Sequence, residues 1–243
     1  MHCVFERGMP LNIARQVSVL RYEFRILGPL AFALPLLIAM SFAALGLWLN
    51  ARNVAHSFIG SLLTASLEAC IPLLAGALTA TIAVHDSAIE LQLTVLMPYR
   101  FTVFRRFILL LAWTALVEIV AMLILHAILP WALSAPILEG QLTWLSPLLW
   151  LAAVGTLLAL LMHSRSSSGA VLGCIWVSQL AFHSYFAAYN WTQPWFLFAT
   201  LYTPGASFWL TNRLELLLTA LVLFTAAWWY LRNTEWRFRA EDL

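Results

Sequence analysis

Two carboxylates, Glu68 and Glu118, stand inside long apolar runs where acidic residues are rare. Taking the runs as 57–84 and 106–129, each lies about eleven residues from the same end of its run (68 − 57 and 129 − 118), so the pair can share one depth. An ionisable residue at the centre of a bilayer costs roughly 2.5–3.5 kcal/mol on insertion scales, which makes a role in a substrate path or a proton relay the default reading. The structural alternative is a Glu bonded to a neighbour such as Thr64 or Thr114 on a helix interface. A third chemically distinct stretch runs from Asp86 to Arg106. Ser87-Ala-Ile-Glu90 reads as a capping box, in which the hydroxyl and the carboxylate each satisfy an orphan N–H of a new helix. Ile89, Leu93, Leu96 and Met97 follow at helical spacing, and Pro98 ends the helix because it has no N–H to donate. Thr94 and Arg100 complete this polar face, which is suited to touching something outside the membrane.

Other reactive residue types form no constellation. His126 and His183 lack a partner at i, i+4 and an acidic third ligand, so they read as packed or interfacial residues. His85-Asp86 resembles half of a metal motif, but its place before the capping box makes Asp86 a helix-start residue. Ser164-Arg-Ser-Ser-Ser-Gly169 reads as a tight loop with no base to activate a nucleophile. Arg213 and Glu215 read as interfacial anchors at a helix start. Cys3, Cys70 and Cys174 are too far apart in sequence for a disulfide framework or a Cys-x-x-Cys metal site. All 13 basic side chains are Arg, so no P-loop lysine exists and the chain carries no nucleotide site of that kind. The reading is of a non-enzyme with no cofactor of its own.

The elements that must position these residues are membrane helices. Hydrophobic residues make up 63% of the 243 and charged ones 10%, far below the quarter usual in soluble domains. A bilayer core of about 30 Å needs roughly 20 apolar residues per helix. Six spans fit, near 29–49, 57–84, 106–129, 142–163, 169–188 and 213–231, with Pro35, Pro72 and Pro147 inside them. Ahead of them, Ile13, Val17, Leu20, Phe24 and Leu27 step along one helical face, opposite Arg15, Arg21 and Arg25. Residues 1–28 therefore read as an amphipathic helix lying at the interface, its arginine heads directed to anionic lipid. The segment 189–212 is too apolar for a solvated loop and too broken by Pro194, Pro204 and Gly205 for a span. It reads as a re-entrant or interface-lying pair of short helices, tolerable where packed on protein. The charged end 232–243 reads as a tail.

Arginine counts orient this frame. Arg7, Arg15, Arg21, Arg25, Arg100, Arg105, Arg106, Arg165, Arg232, Arg237 and Arg239 fall on one side and only Arg52 and Arg213 on the other, 11 against 2. By the positive-inside rule both termini and 86–100 are cytosolic and 189–212 faces out. The charges are dispersed along span ends, which gives no patch for nucleic acid.

An interfacial helix, six spans with both ends inside, and a polar helix between the second and third spans resemble the permease subunits of ABC type-2 transporters. The family's motif in that segment is an acidic residue, a leucine-rich turn, Ser or Thr, then Pro and a basic residue. It stands here as Glu90-Leu-Gln-Leu-Thr94-Val-Leu-Met-Pro98-Tyr-Arg100, with Ser87-Ala88 where the family commonly has Gly-Thr and Arg105-Arg106 where a Lys is usual. The resemblance implies an all-α polytopic exporter subunit, in a bacterial inner membrane, that pairs with a second permease copy or paralogue. Two cytosolic ATPase subunits would bind the ATP and Mg. Asp86, Ser87, Glu90, Leu93, Thr94, Pro98 and Arg100 would form the coupling surface against them, and 189–212 the outer gate. Two other classes share the composition: a proton-coupled secondary transporter acting alone, for which Glu68 and Glu118 speak, and a non-transporting membrane scaffold or immunity protein.

Overall fold

The computed structural model describes residue 23 and residues 27–84, 99–129 and 137–241. The N-terminal segment other than Glu23 and Leu27, and the coupling residues Asp86, Ser87, Glu90, Leu93, Thr94 and Pro98, lie outside the described residues. Among those described the fold is entirely helical. Helix α1 is Pro29–Ala51. Helix α2 is a single rod built of His56–Ala65, a π-helical turn Ser66–Cys70, and Ile71–Val84. Helices α3, Tyr99–Ile128, and α4, Ile137–Met162, follow. Then come α5 (Arg165–Ala181), α6 (His183–Ala188), a 3-10 turn at Gln193–Trp195, α7 (Ala199–Tyr202) and α8 (Trp209–Glu241).

Among the described residues five stretches are long and apolar enough to cross a membrane: Pro29–Ala51, His56–Ala83, Arg100–Ile128, Glu139–Met162 and Trp209–Arg232. The span expected at 169–188 is divided. Helix α5 starts four residues earlier, at Arg165, because Ser164 caps it by accepting from the Ser167 N–H at 3.3 Å. His163, at φ +50°, supplies the sharp turn that joins it to α4. The serine run expected as a loop is thus the first turn of a helix. The rod stops at Phe182 and resumes as α6. Helix α8 also departs from expectation, running unbroken from Trp209 to Glu241 through the residues read as a tail.

Helix α4 is the centre of the bundle, the one span most of whose core window is buried. It meets α2 along small residues. A Cβ placed on Gly155 would stand 2.3 Å from the Gly76 carbonyl oxygen, so this crossing tolerates only glycine. Thr79 Oγ1, next along α2, donates to the Ala152 carbonyl of α4 at 3.2 Å. Helix α1 lies outside, tied to α3 by Trp113 Nε1 donating to the Phe32 carbonyl at 2.9 Å.

One end of this bundle collects charge. Glu23 is buried there and accepts from Arg105 and, at 2.5 Å, from Arg106 Nε. Arg100 of the same helix lies over the Phe101 and Trp228 rings at 5.3 and 5.5 Å, which joins the start of α3 to α8. Arg165 and Arg232 belong to the same end, whereas Arg52 lies in the turn between α1 and α2 at the other.

Candidate functional site

The polar centre of the fold forms around a proline. Pro72 has no N–H for the carbonyl one turn back, and its ring crowds that turn. Helix α2 responds by widening over Ser66–Cys70, where the Ile71 N–H reaches the Ser66 carbonyl in an i to i−5 bond. π-turns of this kind are frequent at functional sites. In the same widened turn the carbonyl of Ala69 accepts from Trp176 Nε1 of α5 at 3.0 Å. Glu68 sits in the widened turn, fully buried.

Opposite it stands Arg213, also fully buried, in the first turns of α8. Arg213 Nη2 pairs with Glu68 Oε1. The same carboxylate accepts the Thr200 N–H at 2.9 Å and the Leu201 N–H at 2.8 Å, the orphan donors at the start of α7. Arg213 Nη1 donates to the Leu197 carbonyl at 3.0 Å and Nη2 to Thr200 Oγ1 at 2.8 Å. Trp209 Nε1 donates to that hydroxyl at 2.8 Å, and the Arg213 guanidinium lies over the Trp209 ring at 5.7 Å.

This pair is the innermost part of a latch on the broken segment 189–208. Phe196, Leu197, Phe198 and Ala199 are fully buried within the bundle. Irregular backbone at that depth is tolerated only when its polar groups find partners in protein. Gln179 of α5 supplies two, donating to the Trp195 carbonyl at 2.7 Å and accepting from the Leu197 N–H at 3.1 Å. Asn212 Nδ2 donates to the Gln193 and Phe196 carbonyls at 2.6 and 3.0 Å. Thr192 Oγ1 reaches the Tyr189 carbonyl at 2.8 Å. The stretch is broken as its prolines predict, into a 3-10 turn at Gln193–Trp195 and one short helix at Ala199–Tyr202.

Arg213 corrects the expectation of an interfacial anchor. Read along the chain it stands at a helix start, but α8 begins four residues earlier, which draws Arg213 inward, and the carboxylate 145 residues away neutralises it. Glu68 therefore has its partners in Arg213 and α7, and the Thr64 bond considered from sequence is not among them. Sequence reasoning missed Arg213, Gln179, Asn212 and Thr200. The available signal was the set of polar residues flanking a segment too broken to span.

Glu118 differs. It is fully buried in α3, and neither carboxylate oxygen has a hydrogen-bond partner. Thr114, its expected neighbour, donates instead to the Leu110 carbonyl of its own helix at 2.9 Å. Cys70, within the π-turn that holds Glu68, lies within electrostatic reach of Glu118. Two further unpaired polar atoms lie buried on α4, Ser146 Oγ and Trp150 Nε1.

The histidines are ordinary packed residues. His183 stacks on Tyr202 at 4.1 Å and its Nδ1 meets the Leu180 carbonyl, and His126 is half-buried in the last turn of α3. Among the described residues no group of three His, Cys, Asp or Glu could hold a metal ion.

Comparison with protein-family models, with curated proteins and with solved structures finds no match.

Proposed function

We propose that this chain is the membrane-spanning permease subunit of an ATP-driven exporter of the ABC type-2 kind, powered by separate ATPase subunits and working with a second permease. In this reading α5 and α6 together serve as the divided fifth crossing and α8 as the sixth. The observation that carries the reading is the broken segment 189–208, whose centre Phe196–Ala199 is buried in the bundle and latched by Glu68 and Arg213. Irregular backbone at that depth occurs where it is buried in protein or lines a water-filled cavity, as in the broken helices of transporters. Latched, the segment closes the outer end. Movement of α2 and α8 against each other, driven from the cytosolic end, would separate Glu68 from Arg213 and free it. That coupling requires the ATPase to contact the two states differently, and segment 86–100 with Arg100 is its surface.

The experiment is affinity purification in mild detergent. An ATPase carrying a P-loop should copurify in stoichiometric amount. Recovery of the chain without one, together with full transport in its absence, refutes the reading.

One observation favours the secondary-transporter alternative, namely the unpartnered Glu118. If it is a proton site, Glu118→Gln changes the pH dependence of transport at unchanged protein level. Transport equal to wild type at every pH returns Glu118 to a packing role.

A further inference from the structure

The part of the chain that carries the broken segment has no ionic surface. Between Arg165 and Arg213 there is no Asp, Glu, Lys or Arg, whereas soluble domains carry charge at about one residue in four. What this stretch exposes instead is rings. Phe182, Tyr185, Tyr189, Trp191 and Trp195 all stand at the surface, Trp191 with 66% of its area open. The Tyr185 ring meets Tyr189 at 4.7 Å and Trp191 at 5.9 Å, so three of them form one connected face. The uncharged polar residues Ser184 and Asn190 are exposed among them. The face is held in shape from below. Buried Thr192 donates from Oγ1 to the Phe186 carbonyl at 3.1 Å, and Gln193 Nε2 donates to the Ala187 carbonyl at 3.0 Å. Phe186 stacks on the buried Phe196 at 6.1 Å, which joins the ring face to the closing tetrapeptide Phe196–Ala199.

We propose that α6 and the turn from Tyr189 to Trp195 lie in the headgroup layer at the end of the bundle away from the arginine-rich one, with a zwitterionic lipid surface as their partner. Tyr and Trp have an apolar body and a polar tip, which suits the layer where headgroups meet acyl chains better than either water or hydrocarbon. The face also continues a surface that hydrocarbon would cover, since the exposed Val177 and Phe182 of α5 lead along the chain into Tyr185. With no ionic side chain in the stretch, the attraction owes nothing to anionic lipid, and the ammonium heads of zwitterionic lipids can lie against the ring faces. The broken segment then has two holds, the Glu68–Arg213 pair inside the bundle and the rings outside it. The contact belongs to this chain alone and needs no ATPase.

The test uses the full chain, with its native cysteines replaced by serine, reconstituted in phosphatidylcholine vesicles. Nitroxide labels at Ser184→Cys or Asn190→Cys leave every ring in place, and power saturation compares their collisions with oxygen, which favours the acyl region, and with a water-soluble nickel chelate. Both labels should collide more with oxygen than with the chelate. Chelate access as high as that of a freely dissolved nitroxide overturns the proposal. Tyr185→Ser combined with Trp191→Ser removes two exposed rings and no core contact of the bundle, and should raise chelate access at position 190 severalfold. Unchanged access in that variant would deny the rings their role and overturn it as well. Exchanging part of the phosphatidylcholine for phosphatidylglycerol, or adding salt, should leave the depth of both labels unchanged, because no ionic side chain is involved. A depth that follows lipid charge overturns the zwitterionic assignment. Dipolar broadening between labels at position 190, abolished by dilution with unlabelled chain, would seat a second copy on the face and overturn the lipid surface.

Discussion

Removing one member of the Glu68–Arg213 pair should cost far more than removing both. In Arg213→Met the carboxylate of Glu68 keeps the Thr200 and Leu201 N–H groups but loses its counter-charge, and the Leu197 carbonyl and Thr200 hydroxyl lose a donor. An uncompensated charge left in a buried site costs about 3–5 kcal/mol. Glu68→Gln leaves the opposite charge stranded and belongs in the same range. In Glu68→Gln with Arg213→Met no charge remains. The amide oxygen still accepts an α7 N–H, so the loss reduces to the arginine's bonds to Leu197 and Thr200, about 1 kcal/mol each. The double variant should therefore be more stable than either single one, with a coupling energy of several kcal/mol. Unfolding free energy in bicelles provides the measurement, and proteolysis within 189–208 gives a local readout. The single variants should expose that segment first, because its backbone hangs on the pair. Additive losses, or single variants within about 1 kcal/mol of wild type, would refute the reasoning.

Three further outcomes follow from the structure and the proposed function. Gly155→Ala should push α4 from α2 and cost about 1–3 kcal/mol in the same unfolding assay, because its Cβ would overlap the Gly76 carbonyl. A stability equal to wild type would mean the crossing has slack. In a background without native cysteines, Val95→Cys and Phe238→Cys should be labelled by a membrane-impermeant thiol reagent only in permeabilised cells, given the arginine bias. Labelling of intact cells at either site would invert the orientation. Glu90→Arg should leave expression near wild type, since a lost cap costs about 1 kcal/mol, yet abolish transport and substrate-stimulated ATP hydrolysis by the complex. Gln141→Ala, at the opposite end of the bundle, should leave hydrolysis intact. Full stimulation in Glu90→Arg would move the coupling surface elsewhere.

Composition and apolar run length by themselves determine that this is an all-helical membrane protein, because hydrocarbon leaves helices and closed barrels as the only spanning forms. Five spans near 29–49, 57–84, 106–129, 142–163 and 213–231 were legible for that reason, since each is an apolar run long enough to cross the bilayer. The broken character of the stretch after Tyr189 was legible too, from prolines in a run too apolar for water. That Glu68 and Glu118 are both buried midway along their helices follows from counting residues along each apolar run. Local pattern could not decide where α5 begins, because a serine run serves equally as a loop or as a cap and first turn. It could not decide what Arg213 does either. An arginine near the start of a helix is an anchor if the helix starts at the interface and a buried ion if it starts earlier. Only the position of Glu68 across the bundle distinguishes the two. Their opposite outcomes, Glu68 paired and Glu118 unpartnered, have the same cause. Both are acidic residues midway along an apolar helix, and sequence pattern is local while charge compensation acts through space. The π-turn at Pro72 faces Glu68 toward α7 and α8, whereas among the described residues no group hydrogen-bonds the Glu118 carboxylate.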